Sequence, residues 1–264
     1  KAKSIIGSVA SFLDTTVNVD NPILECELPV DGSRFEALIP PVVATPTFTI
    51  RKKAIKIFTL DDYIKSEILT PKQKQIIEKA ILERENILIV GGTGSGKTTF
   101  ANAIIAGITR LTPEHRIIII EDTAELQCAS KNKVVLRTSD KADMLRLLKA
   151  TMRLRPDRII VGETRGKEAL DLLKAWNTGH PGGIATVHAN SAYGGLTRLE
   201  QLISEVSTTN MSELIAEAVN LVVFIKKTNN GRKIKEIIKI SGFNNENKKY
   251  IFNPVSYTHL TLPT

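Results

Sequence analysis

Apolar and polar positions change rhythm once along the chain. In the first 55 residues the period is two. "ILECELPV" sets Leu24, Cys26 and Leu28 on one face and Glu25 and Glu27 on the other, the alternation of a half-buried strand. Asp31-Gly32 is a hairpin-turn pair, "RFEALI" follows it, and Pro40-Pro41 stops that strand. "TFTIRK" alternates again, with Phe48 and Ile50 against Thr47, Thr49 and Arg51. Residues 1–55 therefore read as a partial, β-rich N-terminal domain, the later strands of a sheet whose first strands are absent from this chain. The opening "KAKSIIGSVASFL" is basic and then apolar, but Gly and Ser interrupt it, which argues against a signal peptide.

After "KIFTLDDYI" the period changes. Residues 56–70 read as a linker leading to a helix start at Thr70-Pro71, a capping residue followed by proline in the first turn. "KQKQIIEKAILERE" carries Ile76, Ile77, Ala80 and Ile81 at helical spacing. Short apolar runs of strand length recur at "NILIVGG", "RIIIIED", "KVVLRT", "RIIVGE" and "GIATVHA". Helical stretches such as "KADMLRLLKATMRL" and "GKEALDLLKAW" lie between them. Strands buried on both faces with helical crossovers predict an α/β domain with a mostly parallel sheet over residues 71–243. Residues 244–264 read as a tail. Its last part, "VSYTHLTLPT" (255–264), matches no periodicity before it and reads as a sequence artefact, so His259 carries no functional weight.

Composition narrows the class. Hydrophobic residues make up 42% and aromatics only 5%, so an aliphatic core is expected. No apolar run reaches the roughly 18 residues of a membrane-spanning helix. Cys26 and Cys128 lie far apart in no metal or redox motif, and two free thiols suit a reducing cytoplasm. Net charge is +8, and much of it is local: residues 226–249 hold eight Lys or Arg against two Glu. Such a segment is either a solvated face or a contact for anionic lipid or nucleic acid. No aromatic interleaving in it supports base stacking, so sequence-specific nucleic-acid binding is not expected.

The chemistry begins at "GGTGSGKT", residues 91–98, a full G-x-x-x-x-G-K-[ST] between a predicted strand and a predicted helix. Glycines such as Gly92, Gly94 and Gly96 let backbone N–H groups turn inward around a phosphate. Thr93, Ser95 and Thr99 complete the loop, Lys97 reaches the β- and γ-phosphates, and the Thr98 hydroxyl suits Mg²⁺. The ligand is then a nucleoside triphosphate. No guanine-reading N-K-x-D is present, so ATP is expected.

Three other strand ends carry polar residues. "IIIIEDTAEL" ends in Glu121-Asp122, "RIIVGETR" in Glu163 and Arg165, and "TGHPGGIATVHAN" carries His180 and His188. Ligands bind beyond the carboxyl ends of parallel strands, so Glu121, Glu163 and His188 are expected at the same sheet edge as the phosphate loop. A common nucleotide-hydrolase strand ends in Asp-Glu, whereas this one ends in Gly162-Glu163. Glu121 or Asp122 is expected to replace the missing carboxylate at Mg²⁺, leaving Glu163 to polarise the attacking water and His188 to sense the γ-phosphate. Capping or a loop salt bridge is the alternative use of Glu121 and Asp122, and a structural role is the alternative for His188.

Together these blocks resemble the secretion ATPase superfamily of type II and type IV secretion. "GGTGSGKTT" resembles its Walker A loop, "IIIIEDTAEL" its Asp box, "LRPDRIIVGETRG" its Gly-Glu Walker B segment, and "TGHPGGIATVHAN" its His box. "ELPVDGSRFEALIPPVV" and "FTIRK" are most similar to the P-type conjugative transfer branch, and the resemblance spans about residues 22–243. It implies a RecA-like P-loop domain behind a smaller N-terminal domain, ATP and Mg²⁺, and a homo-hexameric ring. It also implies a cytoplasmic position peripheral to the inner membrane and inner-membrane components of a secretion or conjugation machine as partners. Arg34 and Arg51 match N-terminal arginines that contact nucleotide phosphates in the family. His180 and Arg165, inside the matching blocks, join the expected nucleotide ligands. The function implied is an ATP-hydrolysing motor for conjugative DNA transfer or type IV secretion. The alternatives are a pilus-assembly or type II secretion ATPase, a P-loop small-molecule kinase, or a nucleotide-gated scaffold without turnover.

Overall fold

The computed structural model describes residues 1–52 and 56–257, so His259 lies outside the described residues. The chain divides into two compact units, Lys1–Lys56 and Ile57–Thr264. In the first, helix α1 (Ala2–Phe12) accompanies an antiparallel sheet of β1 (Ile23–Glu27), β2 (Arg34–Leu38) and β3 (Thr47–Arg51). Ile6 and Ala10, four apart and so on one helix face, join Leu24, Phe35 and Ala37 in a small core. The register places Glu27, Arg34 and Arg51 in one cross-strand row. Paired residues share a face and adjacent residues along a strand do not, so both arginines point away from the face that buries Phe35.

The second unit opens with α2 (Leu60–Lys65) and α3 (Pro71–Leu82). Each starts at a reciprocal capping box, Thr59 with Asp62 and Thr70 with Gln73. Then come β4 (Ile87–Val90), α4 (Lys97–Leu111), β5 (Ile117–Glu121), β6 (Lys133–Arg137) and α5 (Met144–Thr151). They are followed by β7 (Arg158–Val161), α6 (Glu168–Asn177), β8 (Ile184–Val187), α7 (Ala192–Ser204) and α8 (Ser212–Ala218). The chain closes with β9 (Leu221–Thr228), β10 (Gly231–Asn244) and β11 (Lys249–Tyr257). The sheet order is β11-β10-β9-β4-β8-β7-β5-β6. From β9 to β6 every pairing is parallel, and β9, β10 and β11 form an antiparallel meander at one edge.

The central strands are buried throughout because both sheet faces are covered. Ile87, Ile89, Ile119 and Ile160 pack with Phe100 and Ile104 of α4, while Leu88, Val90, Ile120 and Val161 pack with Leu172 of α6 and Leu196 of α7. The segment expected to be a tail carries the last strand: β11 pairs with β10 from Asn244↔Lys249 to Glu236↔Tyr257. The basic segment 226–249 is likewise mostly sheet edge. Its strand pattern is hidden because irregularities at Ile234/Glu236 and Ile240/Gly242 interrupt the period of two.

At the amino end of the strands one arginine ties the layers together. Arg158 is 1% exposed. It donates to His115 Nδ1 (3.0 Å), to the Gly182 carbonyl (2.9 Å) and to the Ile81 carbonyl (2.7 Å). Burial pulls its guanidinium down to about 10, so it stays charged at neutral pH.

Candidate functional site

The strand order builds the site. Strand β8 is inserted between β4, which leads into the phosphate loop, and β7, which leads into Glu163. His188 follows β8 directly and therefore stands between Lys97 and Glu163. Lys97 Nζ donates to the carbonyls of Gly91 (3.0 Å) and Gly92 (3.2 Å). It also lies 3.2 Å from Nε2 and 3.3 Å from Nδ1 of His188. On its far side His188 Nε2 is 2.6 Å from Glu163 Oε1, close in distance but not aligned as a hydrogen bond. Arg165 Nη2 donates to Glu163 Oε2. Lys97, His188, Glu163 and Arg165 thus form one contact chain at the carboxyl edge of three adjacent strands.

The electrostatics follow from that chain. Burial draws the Lys97 ammonium below its usual range, opposed by the Glu163 carboxylate. Burial and then the Lys97 charge push His188 below the ordinary histidine value, so its ring is neutral at pH 7. The hydrogen bond to Glu163 raises Arg165 further. Glu168, buried at the start of α6, accepts from the backbone N–H of Arg165 (2.7 Å) and Gly166 (2.9 Å) and so fixes the turn after Glu163.

The phosphate loop is anchored from below. Gly94 and Gly96 have φ of 68° and 97°, left-handed values that glycine adopts without strain. The Gly91 N–H reaches the Val187 carbonyl on β8 (3.4 Å). Ser95 is buried with its hydroxyl unpartnered, whereas Thr93 and Gly94 are exposed and Gly92, Thr98 and Thr99 are half-buried.

Glu121 ends β5, is 2% exposed, and burial raises its carboxyl above the usual range. Its Oε2 accepts from the backbone N–H of Glu125 and Leu126, both at 2.9 Å, while the buried Oε1 has no partner. Asn102 of α4 grips the same loop, donating to the Glu125 carbonyl (3.1 Å) and accepting from the Gln127 N–H (2.8 Å). Thr98 lies four residues before Asn102, on the helix face that holds this loop. An orphaned buried carboxylate oxygen and a hydroxyl on that face suit a hard divalent cation. Asp122, in contrast, is exposed and accepts from the Thr138 hydroxyl (3.0 Å).

Gly162 keeps the end of β7 clear of Glu121. A β-carbon at position 162 would lie 3.1 Å from Glu121 Cβ and 3.7 Å from Leu126 Cδ1. Glu121 fills the space that a side chain on β7 would need.

His180 is not brought to this cluster. It precedes β8 and its Nδ1 lies 3.2 Å from the Pro156 carbonyl, just before β7. The four residues of β8, about 13 Å at strand rise, separate it from His188, so the two histidines of one Gly-rich segment sit at opposite sheet edges. Arg34 and Arg51 keep their shared row in the first unit. Asn102 and Glu168 carry no sequence signature. Only a mid-helix Asn and an S/T-x-x-E-like spacing, Thr164 to Lys167-Glu168, hint at them.

Residues 5–257 match the family described as type II/IV secretion system protein. The chain is 56% identical over 244 residues to a probable conjugal transfer protein TrbB of Sinorhizobium fredii, covering 92% of this chain and 75% of that one. It is 30% identical over 276 residues to the type IV secretion system protein VirB11 of Bartonella henselae, covering 87% and 76%. The crystal structure of the VirB11 ATPase from the Brucella suis type IV secretion system in complex with sulphate superposes with a TM-score of 0.58 at 28% identity, covering 90% of this chain and 79% of that one. The chain belongs to the type II/IV secretion system protein family.

Proposed function

We propose that this protein is an Mg²⁺-dependent ATPase of the TrbB/VirB11 type that energises conjugal transfer or type IV secretion, working as a homo-hexamer. The observation that carries the reading is the contact chain from Lys97 through His188 to Glu163 at the mouth of the phosphate loop. Backbone N–H groups of residues 92–98 and the positive end of α4 bind the phosphates. Lys97 turns from the Gly91 and Gly92 carbonyls to the β- and γ-phosphate oxygens. Glu163, kept on station by Arg165, accepts a hydrogen bond from the attacking water and takes up its proton. Neutral His188 hydrogen-bonds the γ-phosphate and, through its contact with Glu163, reports whether that phosphate is present. Thr98 and Glu121 would hold Mg²⁺, with exposed Asp122 behind them; the metal neutralises phosphate charge when bound.

Hydrolysis is favoured over transfer to a small-molecule acceptor. The arginine-rich "ATMRLRPDR" ends α5 and runs through a single 3-10 turn into β7, with Arg158 buried, so it forms no lid over the loop. Among the described residues no helix is long and apolar enough to cross a membrane. We assign the protein to the cytoplasmic side of the inner membrane, where the basic β9–β10 hairpin is available to anionic lipid and the membrane components of the machine are its partners.

The test is phosphate release from ATP in solution without acceptor, with and without EDTA, alongside solution mass with ATP. Mg²⁺-dependent release by a species of six chains is expected. Release that needs an added acceptor, or survives EDTA, would sink the reading.

A further inference from the structure

A further cation stands over the phosphate loop, on the side away from Glu163, with a second beside it in the same hairpin. In the β9–β10 hairpin Ile225 pairs with Ile234 and Lys227 with Arg232. Strand alternation puts these four residues on one face. That face meets the loop: Ile225 Cδ1 lies 3.8 Å from the position a Gly96 β-carbon would take, and Arg232 Cδ and Nε lie 2.9 and 3.1 Å from it. Arg232 Nη2 reaches the Gly94 carbonyl only at 3.5 Å. Arg232 is exposed, and among the described residues no carboxylate pairs with it.

A Lys directly opposite an Arg is unfavourable in a sheet. Here the pair is set beside the positive end of α4 and a loop of inward N–H groups, which adds to the repulsion. Three sources of positive potential converge, and among the described residues no carboxylate is paired with Arg232. Lys97, His188 and Glu163 lie on the β8–β7 side of β4, and the hairpin on the β9 side. If the γ-phosphate faces Glu163, the rest of the nucleotide extends toward the hairpin.

We propose that Arg232, backed by Lys227, is a further ligand for the nucleotide, holding α-phosphate oxygens at the loop's β9 side. This rests on the ATP-binding reading above. It makes two specific demands. The contact is common to ATP and ADP, and it depends on charge rather than on hairpin packing.

Isothermal titration calorimetry with ATP and with ADP, both with Mg²⁺, tests it on wild type, Arg232→Gln, Arg232→Lys and Lys97→Ala. Arg232→Gln should raise Kd about tenfold for both nucleotides with an unchanged melting temperature, the scale of one lost charge-assisted contact. Arg232→Lys should recover part of the loss, and the Gln variant should show a shallower salt dependence. Wild-type or tighter affinity in Arg232→Gln, a loss confined to ATP, or a Lys variant no better than Gln overturns the role of Arg232 while a defective Lys97→Ala leaves the ATP site standing. A wild-type chain that binds neither nucleotide overturns the site itself.

Discussion

Substituting Gly162 tests the complementarity between neighbouring strands. Gly162→Asp restores the Asp-Glu ending common in nucleotide hydrolases, but its Cβ would sit 3.1 Å from Glu121 Cβ. Overpacking of this kind costs about 1–3 kcal/mol. The new carboxylate would also stand roughly 4 Å from the buried Glu121 carboxylate, a repulsion of about 4 kcal/mol at an effective dielectric of 20. Together these cost about 5–7 kcal/mol, or a melting point lowered by roughly 10–28 °C in a unit of this size. Gly162→Ala carries only the steric part and should fall by about 2–12 °C. Thermal melts followed by circular dichroism at pH 8 and pH 5 separate the two contributions. Glu121 already binds its proton more readily than an ordinary carboxyl. As pH falls the Asp variant should therefore recover toward the Ala variant, while the Ala variant's deficit stays constant. Adding Glu121→Ala to Gly162→Asp should recover the electrostatic part of the loss, because alanine removes the second carboxylate while keeping the Cβ at the 3.1 Å contact. An Asp variant melting within about 2 °C of wild type at pH 8, or no recovery in the double variant, would refute the claim that Glu121 occupies the missing side chain's place.

Other consequences follow from the same geometry. His188 has a depressed pKa, so below about pH 6.5 the unfolded chain takes up that proton first and stability is lost as pH falls. Equilibrium unfolding from pH 7.5 to 5 should show a shallower loss in His188→Gln than in wild type. Arg158→Met leaves the Gly182 carbonyl without its side-chain donor and the Ile81 carbonyl with only the Arg84 N–H; it should cost about 1–3 kcal/mol in urea unfolding, and ATP turnover per folded molecule should stay near wild type. Glu121→Gln should lose most of the stabilisation that wild type gains from Mg²⁺ with ATP over ATP alone, read by thermal shift, because the orphaned Oε1 is no longer a carboxylate oxygen.

Much of this was legible in the sequence. Short apolar runs ending in glycine, a carboxylate or a histidine located β4, β5, β7 and β8, and the phosphate loop named its own ligand. The order of strands was not legible, because every buried strand has the same apolar composition. That order puts His188 between Lys97 and Glu163, while the length of β8 separates it from His180. Helix α7 was hidden by Gly194-Gly195, a poor helix pair by propensity. Gly195 is there because a β-carbon would come within 2.4 Å of Val90 Cγ2. The β10 pattern was hidden by its irregularities. Asn102, Glu168 and Arg232 act through contacts 23 or more residues away, or through a single turn, and no local period reports either.

The central claim is hydrolysis with Glu163 as the base. Phosphate release by Glu163→Gln, measured beside its ATP affinity by calorimetry, tests it directly. The account predicts near-wild-type ATP binding with turnover lowered about a hundredfold or more. Turnover within a few-fold of wild type would contradict it.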